Sequence, residues 1–502
     1  MVKPYIYKHA KSGLVHYPPF SGPSNITYEP VLPPRPLLGF LQPPSDPAPA
    51  QPARPALPPP PAGWVSSIHA APAAYPRQLR EAHGTNGWDS SPFGTRPIPP
   101  KESKGAAAAR WEAETTCVVQ KRYDAREWTL DEAREARPLK QWLGVERWRR
   151  TSASGAGYTI VCTHAGGLIK EVRSKTGESA RLTEKHWHKI MRGVLARTPS
   201  SPAVRFGSGE RIQHAYSVEI DEIWFIDDLN HALSFELNAG RMGDVQTWED
   251  GGRDVLNFIQ HVLPLTASES EAAWELGWTP VPTAPRKVIG VGHSFGGAAL
   301  IAAAHAAPSL FHGLFLVDPM AVPMYFAKYL YYHRALDGFP LSQACLKRRS
   351  SWPSRDAARK ILLESPFFAA WDRDQFETYL LRGIIPRDPS KPDGEVVLAT
   401  PPWSEATVFT EPDASARTWD RLPGLEVPVG WCMAGDSYTT RGDATTQETV
   451  WRPPRARNER IMRAGHLATQ ETPVEVADSL WRFLCTLQAG EWDELDMYGA
   501  KL

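Results

Sequence analysis

The residues best placed to do chemistry in this 502-residue chain are Gly292-His293-Ser294-Phe295-Gly296-Gly297. The apolar run Lys287-Val-Ile-Gly-Val leads into them, and a run of small residues, Phe295 to about Ala306, leads out as a helix. A serine on such a strand-to-helix turn is a nucleophile elbow. The turn strains its backbone, exposes its hydroxyl and sets it at a helix N-terminus, where the backbone dipole favours negative charge. Glycines must flank it, because a Cβ there would meet the neighbouring strand or helix. The bare Gly-x-Ser-x-Gly string arises often by chance, so the strand and helix around Ser294 carry the reading.

A serine nucleophile needs a base, an acid that orients the base, and two donors for the oxyanion. His466, in Ala464-Gly465-His466-Leu467, follows the last strand signal and precedes the closing helix. Serine first and histidine last is the chain order of the α/β-hydrolase fold. His293, His305 and His312 lie in or beside the elbow helix and read as packing or solvent-facing. The Phe295 amide supplies one oxyanion donor, and the glycine turn His164-Ala165-Gly166-Gly167 supplies the other, through Gly166. Two acids compete: Asp318 ends the strand after the elbow helix, and Asp436 follows a later strand in Gly435-Asp436-Ser437-Tyr438. An acid after the later strand usually stands three residues beyond the glycine, which here is Tyr438. Asp318 is therefore favoured and Asp436 stays the alternative.

These residues need elements to hold them. Tyr158-Thr-Ile-Val-Cys-Thr, Glu222-Ile-Trp-Phe-Ile-Asp, the strand before Ser294, Leu314-Phe-Leu-Val-Asp and Val427-Pro-Val-Gly-Trp-Cys-Met-Ala-Gly read as buried strands. Helical signals separate them, including Trp248 to about Val262 and a closing helix over Thr472 to Thr486, opened by the possible capping box Thr472-Pro-Val-Glu. Thr116-Cys-Val-Val-Gln reads as a further short strand. Alternating strands and helices predict an α/β fold, a mostly parallel sheet with an inserted helical cap. The expected organisation is a proline-rich, largely disordered segment over residues 1–105, a core over 106–319, a helical aromatic cap over 320–425 and the end of the core over 426–502. The cap is rich in Tyr325, Tyr329, Tyr331, Tyr332, Trp352, Phe367, Phe368, Trp371 and Phe376.

Composition excludes other classes. With 56 Lys and Arg against 56 Asp and Glu the chain is formally neutral, which argues against electrostatic nucleic-acid binding. Half of the 48 prolines fall in the first 100 residues, a stretch too polar and proline-rich to offset its ordering entropy. No uninterrupted apolar run is long enough for a transmembrane helix, and the N-terminus has neither a secretory nor a transit character. Cys117, Cys162, Cys345, Cys432 and Cys485 are odd in number and unclustered, so reduced thiols are expected, with no zinc site or other metal.

With these residues placed, the sequence from about 114 to 486 resembles a fungal family of peroxisomal α/β-hydrolases that includes a yeast peroxisomal lipase and proteins of host-selective toxin biosynthesis. The resemblance rests on His164-Ala-Gly-Gly-Leu-Ile-Lys-Glu, on Glu222-Ile-Trp-Phe-Ile-Asp-Asp-Leu-Asn-His, on the elbow, on Leu316-Val-Asp-Pro, and on Arg348-Arg-Ser-Ser-Trp-Pro-Ser-Arg with Trp371-Asp. It departs from the family at Gly166, where the family has asparagine, and at Ala232, where it has glycine. The acid-proline segment is kept at Asp318-Pro319, which supports Asp318 over Asp436. Ala500-Lys501-Leu502 is similar to the Ser-Lys-Leu address, which implies a peroxisomal import receptor as partner and residence in the peroxisomal matrix, otherwise in the cytoplasm.

The expected activity is that of a serine hydrolase on a small-molecule acyl ester or thioester, needing no organic cofactor and no metal. Arg348, Arg349 and Arg355 are candidates for acyl-CoA phosphates or, more simply, form a solvated basic face. Two alternatives stand beside it: an acyltransferase using the same residues, and a non-catalytic scaffold that keeps the fold.

Overall fold

The computed structural model describes residues 7–8, 15–16, 35–52, 59–80, 103–166, 187–197, 204–208, 211–212, 218–243, 245–263, 273–280, 286–324, 340–411, 413–437, 439 and 444–492. Eight strands build its main sheet: β1 (Trp64–Pro72), β2 (Trp142–Arg150), β3 (Tyr158–Thr163), β4 (Ile220–Ile226), β5 (Lys287–His293), β6 (Phe311–Val317), β7 (Val429–Ala434) and β8 (Ala456–Ile461). Their spatial order is β8-β7-β6-β5-β3-β4-β2-β1. The pairs β1 with β2 and β2 with β4 are antiparallel, and the remaining pairs are parallel.

The central strands are predominantly apolar because both faces of a parallel sheet are covered. Side chains alternate between the two faces. On β6, Leu314 and Leu316 join the core beneath helices α3 (Trp248–Asn257) and α4 (Phe295–Ala306). Phe315 and Val317 face the opposite core, shared with α2 (His188–Leu195) and α8 (Pro473–Gln488).

Several expectations change here. The proline-rich N-terminal segment is not without structure over its described residues: β1 pairs along its length with β2, from Trp64 opposite Arg150 to Pro72 opposite Trp142, and its far end is buried. Asp254 accepts from the Ala74 amide at 2.8 Å and from Arg77 at 2.6 Å, anchoring the chain beyond the strand. The core thus begins before residue 106. Thr116-Cys-Val-Val-Gln is no strand but part of helix α1 (Lys104–Asp124). The alanines before it and the Arg110–Glu114 pair favour helix more than its β-branched residues oppose it. At the start of α8 the capping box is not formed. Thr472 Oγ1 donates to the Ala468 carbonyl at 3.0 Å, and Glu475 pairs instead with Arg463.

The inserted layer contains α5 (Pro340–Lys347), α6 (Arg373–Arg382), α7 (Pro402–Val408) and further short helices. It also holds a three-stranded antiparallel sheet of Ser351–Trp352, Val396–Leu398 and Ile384–Pro386, which the helical reading of this stretch did not include. Asn230 ties this layer to the core. Its Nδ2 donates to the Ser404 carbonyl at 2.7 Å, and Ser404 Oγ donates back to its carbonyl at 2.8 Å. Ala232, where the resembling family has glycine, sits at φ 43°, a left-handed conformation that costs an L-residue about 1 kcal/mol. Tyr325, Tyr329, Tyr331, Tyr332, Gly167, Tyr438 and Ala500-Lys501-Leu502 lie outside the described residues. Among the described residues no helix is long and apolar enough to cross a membrane.

Candidate active site

Ser294 ends β5 and starts α4 with φ 53° and ψ −119°, a conformation that costs a non-glycine residue about 1–3 kcal/mol. The surrounding packing leaves it no other. A Cβ on Gly292 would lie 2.8 Å from Gly297 Cα, and one on Gly296 would lie 2.7 Å from the His164 carbonyl oxygen. The Ser294 amide donates to the Val317 carbonyl at 3.1 Å, and its own carbonyl accepts from Met320 at 3.1 Å, so the elbow is held by β6 and the turn after it.

The structure brings together residues far apart in sequence. Ser294 Oγ lies 2.8 Å from His466 Nε2, and His466 Nδ1 lies 2.7 Å from Asp318 Oδ2. Asp318 leaves the end of β6 at φ 38°, fully buried. Ala434 N–H donates to its Oδ1 at 3.3 Å and Ser437 Oγ donates to its Oδ2 at 2.6 Å, an arrangement suited to an accepting carboxylate. Thr439 Oγ1 is 2.9 Å from His466 Nδ1 and donates to Asp318 Oδ2 at 3.2 Å. Asp436 stands apart from this group: it is exposed, and its backbone N–H donates to the Ala464 carbonyl at 2.8 Å. Nothing in the sequence marked Ser437 or Thr439, because a hydroxyl that supports a carboxylate needs only proximity.

The glycine turn is clamped to the elbow. Gly296 N–H donates to the His164 carbonyl at 3.1 Å, and Thr163 Oγ1 donates to the Gly296 carbonyl at 2.9 Å. His164 Nε2 accepts from the Asp228 amide at 3.1 Å, so its proton sits on Nδ1, which donates to the Ala165 carbonyl at 2.7 Å. Burial and then the nearby His231 push the His164 pKa down, in keeping with this neutral tautomer. Gly166 and Phe295 share with Ser294 and His466 the wall of one cavity of about 360 Å³. The inserted layer closes its other side with Leu341, Phe368, Trp371, Tyr379 and Phe409.

His293 is read from sequence as a packing residue, but it has a more specific place. Its Nε2 donates to the His466 carbonyl at 2.8 Å and its Nδ1 lies 3.1 Å from Thr469 Oγ1, so it braces the loop that carries His466. Burial, followed by His466, lowers its pKa to about 3. Below pH 6.5 the unfolded chain takes up a proton that the folded chain refuses until about pH 3, so this residue removes stability as pH falls through that window. Between pH 6 and 4, urea unfolding of the wild type should weaken more steeply than that of His293→Gln, by up to about 1.4 kcal/mol per pH unit. Parallel pH curves would contradict it.

The basic residues of the inserted layer do not form one patch. Arg348 pairs with Glu405 in the cavity wall, Arg349 donates to the Ser351 carbonyl at 2.9 Å, and Arg355 donates to the Ile384 carbonyl at 3.3 Å.

Residues 221–479 match the model of a family described as the alpha/beta hydrolase family. The peroxisomal membrane protein LPX1 of Saccharomyces cerevisiae is 35% identical over 103 residues, 20% of this chain and 23% of that protein. The abhydrolase domain-containing protein AFT2-1 of Alternaria alternata is 29% identical over 198 residues, 38% of this chain and 70% of that protein. The type I acyl-CoA thioesterase mpaH of Penicillium roqueforti is 28% identical over 199 residues, 38% of this chain and 39% of that protein. In sequence, then, the chain spans under half the length of the yeast and Penicillium relatives. The solved structure of the yeast protein, a peroxisomal alpha-beta-hydrolase, shares the fold with a TM-score of 0.50 at 15% identity, over 84% of this chain and 88% of that one.

Proposed function

Because the chain belongs to the alpha/beta hydrolase family, we propose that it is a serine hydrolase that cleaves an acyl ester or thioester through an acyl-enzyme on Ser294. The observation that carries this reading is the strained Ser294, its Oγ 2.8 Å from His466 Nε2 inside a largely apolar cavity. The kinship with an acyl-CoA thioesterase supports a thioester as readily as an ester.

Ser294 Oγ attacks the acyl carbonyl carbon while His466 Nε2 takes its proton. Asp318, 2.7 Å from Nδ1, holds the imidazole's own proton on Nδ1 in the resting enzyme and stabilises the imidazolium formed during attack. The Phe295 and Gly166 amides receive the oxyanion. His466 then protonates the departing alkoxide or thiolate. In the second half of the cycle it deprotonates a water that attacks the acyl-enzyme, releasing the acid and restoring Ser294. The clamp on the glycine turn matters here, since oxyanion donors act only if they need no rearrangement as charge develops.

The test is labelling by a fluorescent alkylphosphonate, followed by mapping of the modified peptide. Modification at Ser294 together with hydrolysis of p-nitrophenyl esters or acyl-CoA supports the proposal. Absence of both would return the scaffold reading to the front.

Peroxisomal residence forms part of the same proposal, since the yeast relative is named peroxisomal and Ala500-Lys501-Leu502 has the small-basic-leucine form of an import address. A fluorescent protein fused ahead of this chain should give punctate signal coincident with a peroxisomal marker, and deletion of the tripeptide should disperse it. Punctate signal that survives the deletion would dismiss the tripeptide.

A further inference from the structure

The Asp318 carboxylate has no exposed surface, and a buried charge is tolerated only where donors surround it. The Ala434 amide reaches its Oδ1 at 3.3 Å, a long contact, so the donors to Oδ2 carry more weight. They come from the loop after the neighbouring strand. β6 and β7 pair in parallel up to Val317 opposite Cys432, and the Asp318 amide donates to the Cys432 carbonyl at 3.1 Å, which brings the loop leaving β7 beside the carboxylate. That loop is pinned on its other side. Gly435 N–H donates to the Ile461 carbonyl at 2.8 Å, Asp436 N–H donates to the Ala464 carbonyl at 2.8 Å, and a Cβ on Gly435 would run into the Met462 backbone. Ser437 and Thr439, both buried, follow directly.

These two hydroxyls do more than close their own turn. Ser437 Oγ accepts from the Thr439 amide at 3.2 Å, as serines in turns commonly do, and gives its one proton to Asp318 Oδ2 at 2.6 Å. That is the short contact expected between a hydroxyl and an ionised carboxylate. Thr439 Oγ1 stands 2.9 Å from His466 Nδ1, 2.8 Å from Ser437 Oγ and 3.2 Å from Asp318 Oδ2. The Nδ1–H therefore faces two oxygens, Asp318 Oδ2 at 2.7 Å and Thr439 Oγ1, and turning the imidazole either way lengthens one of the two contacts. Thr439 also lines the cavity that opens on Ser294.

We propose that Ser437 and Thr439 are positioning residues for the hydrolytic reaction: Ser437 fixes Asp318 Oδ2 and keeps the carboxylate ionised, and Thr439 fixes the imidazole against it, so that Nε2 meets Ser294 in one orientation. The inference rests on the serine hydrolase reading of this site. Neither hydroxyl gives up its proton during the cycle; His466 alone carries the proton between Ser294, the leaving group and water.

The experiment measures kcat, KM and their pH dependence on a p-nitrophenyl ester for the wild type, Ser437→Ala, Thr439→Val and Thr439→Ser, with a melting curve for each. On the pH plateau Ser437→Ala should lower kcat about tenfold, the scale of one hydrogen bond to a charged group, and leave KM within about twofold. A carboxylate that has lost a donor favours the imidazolium more strongly, so the acid limb of kcat/KM should move up by at least about half a pH unit. His293 on β5, Glu471 beyond the His466 loop, Cys432 on β7 and the exposed Asp436 are the titratable groups that the described residues place around the pair, and all stay unaltered in these variants. Thr439→Val, which keeps the volume and the cavity wall, should lower kcat several-fold, and Thr439→Ser, which returns the hydroxyl, should restore most of it. Wild-type kcat and pH profiles in folded Ser437→Ala and Thr439→Val overturn the inference. So does a lowered melting temperature with the acid limb unmoved, the mark of a purely structural role, or a Thr439→Ser variant no better than Thr439→Val. Should Ser437→Ala fail to fold, the two Thr439 variants decide by the same comparison. Ser294-dependent turnover with any of these results leaves the hydrolase reading intact. No turnover of any ester by the wild type, with no phosphonate labelling, removes both.

Discussion

Ser294→Ala is expected to lower ester turnover by on the order of 10⁶-fold, the scale seen when the nucleophile of a serine hydrolase is removed. In the proposed mechanism no other described hydroxyl can replace it. Thr439 Oγ1 sits on the far nitrogen of His466, 2.9 Å from Nδ1, and so lies on the wrong side of the imidazole to attack a substrate held over the Phe295 amide. Residual catalysis should come only from the oxyanion donors and binding, at roughly 10³–10⁴-fold over water. Stability should change little, because alanine accepts φ 53° no worse than serine and the removed hydroxyl made its hydrogen bond to a histidine that water can still reach. Circular dichroism and melting curves matching the wild type, with phosphonate labelling lost, would complete the result. A folded alanine variant that keeps more than about one hundredth of wild-type kcat/KM would exclude Ser294 as nucleophile.

Asp318→Asn should cost about 10⁴-fold in kcat, and Asp436→Asn less than about twofold. The difference follows from geometry. Asp318 is fully buried and accepts from His466 Nδ1 at 2.7 Å, whereas Asp436 is exposed and its backbone amide donates to the Ala464 carbonyl. An asparagine at 318 keeps the shape of the site but can present its amide N–H to Nδ1. The imidazole then turns to the tautomer with its proton on Nε2, which cannot accept from Ser294. Nuclear magnetic resonance of the histidine N–H protons would show the downfield His466 signal lost in Asp318→Asn and kept in Asp436→Asn. Equal losses of activity in the two variants would take the orienting role away from Asp318.

Part of the fold was hidden by charge. The central strands were readable because they are apolar on both faces, but Trp142–Arg150 and Ala456–Ile461 each carry several charged residues and gave no clear strand pattern. Charged residues on both strands find partners in the folded chain: Arg147 pairs with Glu222 at 2.6 Å, and Glu459 accepts from Ser479 at 2.7 Å and Arg482 at 2.6 Å. All three partners come from other strands or helices, so none of these pairings has a local signature. The strand Trp64–Pro72 was hidden differently, by the proline-rich sequence around it, because a strand at the edge of a sheet tolerates residues that a central strand does not.

What the sequence determined by itself was whatever is encoded within a few residues. The glycines around Ser294 impose the turn through local sterics, the apolar period sets the parallel strands, and the order of serine, acid and histidine along the chain follows from the topology those strands adopt. Tertiary structure alone decided which acid meets His466, which hydroxyls support it, and that the cavity wall holds an ion pair. These are contacts between residues 148, 119 and 57 positions apart. Over such separations the chain carries no local preference, and only packing the sheet against the inserted layer brings those groups within hydrogen-bond reach.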